Sequence, residues 1–135
     1  MKGEGLIGKK IMQYEDYFYV VFRVLVGLFF FIHGSMKALG WFGGTQMTGL
    51  MMAVGIGELL AGVLILLGFW TRLGALIGAV IMLAAYFKAH APGGLNPVAN
   101  GGELALLFFL SFLVILVHGS GKFGLEHWFH KKERI

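Results

Sequence analysis

Four long apolar stretches constrain this chain more than any other feature. They run from about Phe18 to Met36, Leu50 to Trp70, Leu73 to His90 and Leu104 to Val117. A helical crossing of a bilayer needs about 20 predominantly apolar residues. Val24 to Ile32 would be apolar on every side of a helix, and Leu104 to Val117 nearly so, with Ser111 its one polar residue. Such helices must be buried or face lipid, and a chain of 135 residues is too small to cover several of them in water. No regular apolar/polar alternation marks barrel strands. The pattern predicts an all-α polytopic membrane protein, a bundle of four transmembrane helices at about 18–36, 50–70, 73–90 and 103–118. The fourth is short unless Gly101, Gly102 and Ser120 lie in the interface.

Hydrophobic residues make up 58% of the chain and charged ones 13%, against about a quarter charged in a soluble domain. One membrane domain follows, with residues 1–16 and 121–135 as polar tails. Cysteine is absent, which excludes disulfides, thiolate metal sites, protein-held iron–sulfur clusters and a cysteine nucleophile. Electrons, if any are handled, must be carried by a bound cofactor or a partner. The lipid bilayer is the expected partner, and nothing in the chain points to nucleic acid.

With four spans, both termini and the short turn near Trp70 share one side. That side holds Lys2, Lys9, Lys10, Arg72, Lys122, Lys131, Lys132 and Arg134, and the opposite side only Lys37 and Lys88. Basic residues concentrate in the cytoplasm, so both termini are expected there, in the inner (plasma) membrane of a prokaryote. No small-x-small cleavage site follows the first apolar run, unlike a cleaved signal peptide. Ile7, Ile11, Tyr14 and Phe18 fall near one helical face, consistent with either an interfacial helix or a tail. The outward connections are Ala38–Gly49 and Ala91–Gly102. Pro92, Pro97 and four glycines interrupt the second.

Ionisable residues within a span normally face the bundle interior or a watery cavity. At about 100° per residue, Arg23, Phe30, His33, Gly34 and Lys37 share one arc of the first span. In the second, Glu58 shares a face with Gly55 and Gly62, small residues that admit a close neighbour. Tyr86 and His90 stand one turn apart at the end of the third span, and Glu103 opens the fourth. An outward-facing cavity lined by His33, Glu58, Tyr86, His90 and Glu103 is therefore the expected ligand site. Glu58 can reach either Arg23, as a structural ion pair, or His33. Glu103 also reads as a charge complementing a helix N-terminus, Tyr86 as an interface aromatic, and Lys37 and Lys88 as snorkelling cations, Lys88 on the face opposite His90. His118, His127 and His130 belong near the cytoplasmic surface.

Ligands dispersed over four helices give no metal-binding spacing, so no metal is expected. Two histidines could ligate a haem, but no second feature supports one. A quinone head group needs hydrogen-bonding partners, a protonatable group and an aromatic wall, and imidazole, carboxyl, tyrosine and phenylalanine supply these.

Several segments resemble the DoxX family. His33-Gly34-Ser35-Met36-Lys37 is similar to its HG-x-x-K element, and Gly57-Glu58 through Gly68, then Thr71-Arg72, to its central signature. Met82 to His90 resembles the end of its third helix. Gly101-Gly102-Glu103-Leu104 and Gly119 to Leu125 resemble its fourth helix and exit. The resemblance implies a bacterial or archaeal inner-membrane protein of four helices, with shared residues at His33, Lys37, Glu58, Arg72, His90 and Glu103. It also implies kinship with subunits of thiosulfate:quinone oxidoreductase and with membrane complexes handling thiols or sulfur compounds. The functional expectation is a membrane subunit of an oxidoreductase with a quinone or other small-molecule site, alongside a membrane or peripheral oxidoreductase partner. The alternative is a non-enzymatic scaffold or small-molecule carrier, the carrier version requiring a homo-oligomer.

Overall fold

The computed structural model describes residues 5–130 and is all-helical, with no strand among the described residues. A short helix, α1 (Leu6–Met12), precedes the long α2 (Glu15–Ala38); α3 (Leu50–Leu67) and α4 (Thr71–Ala85) follow. A π-helical turn (Tyr86–His90) and a 3₁₀ turn (Ala91–Gly93) continue α4. Then come the one-turn α5 (Pro97–Asn100), α6 (Glu103–His118) and α7 (Leu125–His130). Three helical stretches are long and apolar enough to cross a membrane: Glu15–Ala38, Leu50–Leu67 and Thr71–Gly93. The fourth apolar helix, α6, has 16 residues and spans about 24 Å, below the roughly 30 Å of a bilayer core.

Glycines fix how α2 meets α3. A β-carbon on Gly62 would stand 2.5 Å from the Phe31 backbone nitrogen, and one on Gly27 would stand 2.6 Å from that of Leu66. Gly34 presses likewise against the Leu59 backbone, and Gly55 against the Lys37 β-carbon. Each helix thus carries two glycines seven residues apart, two turns of helix, and the backbones interlock without side chains between them. α4 follows α3 after a tight turn. There Gly68 adopts φ +69°, and the Gly68 and Phe69 amides donate to the Ile65 and Leu64 carbonyls at 3.2 and 3.0 Å. This glycine-closed helix end satisfies carbonyls the helix leaves free.

The core occupies the half of the bundle nearest the termini, where Ala61, Ile65, Ala75, Phe112 and Ile115 are fully buried. Gly74 lies against Leu64 and Ala61 there, and Gly78 receives the Phe112 ring. Toward the other end, which carries the two long connections, α3 and α4 present Met51, Val54, Ile81 and Ala84 instead, and a cavity opens.

Two elements differ from expectation. Residues from 121 onward do not begin as a free tail: Gly124 packs on Gly68, and the Glu126 amide donates to the Gly68 carbonyl at 2.9 Å. The buried Glu126 carboxylate accepts from the Thr71 amide at 3.5 Å, at the positive N-terminus of α4. The third span also does not stay α-helical to His90, because its hydrogen-bond ladder widens at Tyr86. α1 does form, with Leu6, Ile7 and Ile11 exposed beside Lys9 and Lys10. Lys122 bridges to Asp16 at 3.0 Å, and that hydrogen bond, with the Asp16 charge, holds the exposed amine above its ordinary pKa. Lys2, Lys131, Lys132 and Arg134, which entered the charge count, lie outside the described residues.

Candidate functional site

A cavity of about 550 Å³ occupies the end of the bundle opposite the termini. α2 contributes Phe30, His33 and Lys37, and α3 contributes Met51, Val54 and Glu58. The α4 side gives Ile81, Ala85, Lys88 and His90, and α6 gives Leu104 and Phe108. Aromatic packing forms the floor. The Phe30 ring meets Phe112 edge-on at 4.7 Å and Phe108 at 5.5 Å. Val80 of α4 and Met51 of α3 line the cavity yet are exposed, so part of its mouth lies between these helices on the outer surface of the bundle.

The strongest electrostatic feature is an ion pair across α2 and α3. Lys37 Nζ donates to both Glu58 carboxylate oxygens, at 2.7 and 2.8 Å. Glu58 is 1% exposed and the Lys37 side chain 25%. A carboxylate this deep requires a partner and hydrogen bonds, and Lys37 supplies both while reaching the cavity. Of the two partners expected for Glu58, Arg23 or His33, neither is the one it meets. The glycine contacts set Glu58 level with Ser35 on antiparallel α2, about 18 Å along the axis from Arg23. Arg23, equally buried, donates from Nη1 to the Ile65 carbonyl and to that of Leu66 at 3.0 Å. It thereby caps the C-terminus of α3 and complements the negative end of its dipole. Arg72 does the same for α6, donating to Leu116 and Val117 carbonyls at 3.0 and 3.1 Å.

Of the five expected lining residues, three line the cavity: His33, Glu58 and His90. His33 meets Phe108 edge-on at 5.9 Å and forms no hydrogen bond among the described residues. His90 Nδ1 lies 3.3 Å from the Asn100 carbonyl. That carbonyl can only accept, so Nδ1 is the donor in this contact. Tyr86 and Glu103 are corrected to other places. Tyr86 is buried beneath the long connection, where its hydroxyl donates to the Leu95 carbonyl at 2.7 Å and accepts from Asn100 Nδ2 at 3.2 Å. Glu103 is exposed in the first turn of α6 and outside the lining. Lys88 lines the cavity together with His90, although α-helical phase puts them on opposite faces. Both sit in the π-turn that forms this rim of the cavity.

Two residues that sequence reasoning left out of the site shape it. Lys37 carries the ion pair. Asn100 organises the connection, donating to the Gly94 carbonyl at 2.8 Å and accepting from the Gly102 amide at 2.8 Å. Lys37 was on the inward arc of its helix, a signal that snorkelling obscured. Asn100 lies in a loop with no periodicity to read. Among the described residues, no cluster of three metal-ligating side chains exists. At the opposite end, Tyr19 stacks on the exposed His118, ring centroids 5.1 Å apart.

The chain has relatives among known proteins. The chain is 38% identical over 129 residues to an uncharacterized protein of Haemophilus influenzae, covering 89% of this chain and 96% of that relative. A second uncharacterized protein of that organism is 32% identical over 69 residues, covering 51% of this chain and 46% of its own length. No solved structure matches. The sequence model of the DoxX family matches residues 18–91, more than half of the chain and the stretch holding Arg23, His33, Lys37, Glu58, Arg72 and His90. The apolar helices make this a multi-pass membrane protein, and it belongs to the DoxX family.

Proposed function

We propose that this protein crosses the membrane four times with both termini in the cytoplasm and binds a lipid-soluble molecule in the cavity near its outer face. The ligand class is a quinone or another amphiphile with an oxygen-bearing head, and the protein serves as the membrane subunit of an oxidoreductase. One observation carries the reading: an apolar cavity of about 550 Å³ with Lys37–Glu58, His33 and His90 in its walls. Ligand sites of about 300–1,000 Å³ combine apolar walls with a few placed polar groups. Lys37 retains donor capacity beyond its carboxylate bonds, and a neutral His90 ring bonded through Nδ1 offers Nε2 as an acceptor, so a carbonyl and a hydroxyl on one ring could each find a partner. A mouth between α3 and α4 suits a molecule arriving through lipid.

The orientation rests on Lys9, Lys10, Arg72 and Lys122 at the terminal end against Lys37 and Lys88 at the other. The short α6 is accommodated by flanking glycines in the interface and local thinning of the bilayer. Since the chain has no cysteine, Thr45→Cys and Gln13→Cys give clean single-site reporters. A membrane-impermeant maleimide should label the first from outside intact cells and the second only after lysis.

Photolabelling with an azidoquinone tests the ligand class. Label is expected on peptides containing His33, Glu58 or His90, and it should fall sharply in His33→Ala/His90→Ala. Undiminished labelling in that folded double variant ends the quinone reading.

A further inference from the structure

We infer that this cavity selects a head group that is anionic, an oxyanion carried on an apolar chain, over a neutral one of the same size. The inference rests on reading the cavity as a binding site for a lipid-soluble molecule, but not on a redox role. Its basis is the charge inventory of the walls. Two cations, Lys37 and Lys88, face the cavity against a single carboxylate. That carboxylate is already spent, because both Glu58 oxygens accept from Lys37 Nζ. Lys88 is exposed at the rim and makes no ion pair among the described residues. Glu103, the remaining acidic residue at this end among those described, is exposed and outside the lining.

His33 adds an imidazole with no hydrogen bond among the described residues, His90 a second imidazole whose Nδ1 is held by the Asn100 carbonyl, and the rest of the wall is apolar. Lys37 and Glu58 neutralise each other, so the net charge of the wall is that of Lys88 at the rim, and an entering anion gains from that field to the extent that solvent does not screen it. A carboxylate or phosphate could accept from Lys37, whose bonds to Glu58 leave ammonium donor capacity. It would lie within the field of Lys88, while its chain leaves through the mouth beside Val80 and Met51. A neutral ester or quinone would gain the same apolar contacts without the charge term.

The test compares palmitate with methyl palmitate on the protein in phosphatidylcholine nanodiscs, with decylubiquinone as a neutral reference. Palmitate should bind about tenfold or more tightly than its ester, the scale of one hydrogen bond to a charged group. Lys88→Gln, an exposed change that leaves the fold intact, should narrow that gap by about threefold or more. Competition by phosphatidylglycerol would place the preferred oxyanion on a lipid headgroup, and lack of competition would place it on a free acid. Either result supports the inference. Equal binding of acid and ester, with decylubiquinone also bound, overturns the charge preference and leaves the amphiphile site standing. No binding of any of the three overturns the site itself.

Discussion

Replacing Gly62 by alanine should separate α2 from α3. The added methyl would stand 2.5 Å from the Phe31 nitrogen and 2.7 Å from its α-carbon. Ordinary contact begins about 1 Å farther out. Both obstacles are backbone, so no rotamer change can relieve the clash and the helices themselves must move apart. Overpacking of this kind costs about 1–3 kcal/mol, and the rigid neighbours favour the upper part of that range. Alanine regains up to about 1 kcal/mol of helix propensity over glycine, leaving a net loss of about 1–2 kcal/mol. Since Glu58 lies one turn from Gly62, the separation should also lengthen the Lys37–Glu58 contact. Reversible unfolding with increasing dodecyl sulfate in mixed micelles, followed by tryptophan fluorescence, measures the loss. Gly8→Ala is the control, because a β-carbon there meets nothing within 4 Å. A Gly62→Ala protein within about 0.5 kcal/mol of the parent, the ordinary range for surface changes, would refute the interlocked-backbone account.

Three further outcomes follow from the same geometry. Lys37→Met strands the buried Glu58 carboxylate and should cost about 2–3 kcal/mol, the low side of a broken buried pair because Lys37 is partly exposed; Lys37→Met/Glu58→Leu should recover most of it in the same unfolding assay. Arg23→Met removes the charged donor from two carbonyls at the end of α3 and should lower stability by about 2–4 kcal/mol, read as a lower dodecyl sulfate midpoint with retained helicity. Asn100→Ala should leave the bundle folded but release the 91–102 connection, raising amide hydrogen exchange at Gly94 and Gly102 by about tenfold for each kilocalorie-scale bond lost.

The helices and the site differed in how much could be read before the fold. Apolar length alone placed α2, α3, α4 and α6, because lipid admits only backbone that satisfies its own hydrogen bonds. Helical phase placed Arg23, Phe30 and Gly34 on the buried face of α2, since the 100° step depends on nothing outside the helix. It also grouped His33 with Lys37. Phase did not anticipate that Lys88 and His90 both line the cavity, and nothing in YFKAH announces the π-turn that holds them.

Pairing between helices was the part that local pattern could not supply. Whether Glu58 meets Arg23, His33 or Lys37 depends on antiparallel register, a sliding coordinate along which composition is nearly flat. The sequence by itself determined that this chain lives in a membrane, which face of α2 turns inward, and that a carboxylate must find a cation at depth. The tertiary structure alone decided which cation. Four glycines lock the α2 and α3 backbones at one register, and at that register Lys37 is beside Glu58 while Arg23 is level with the free carbonyls closing α3.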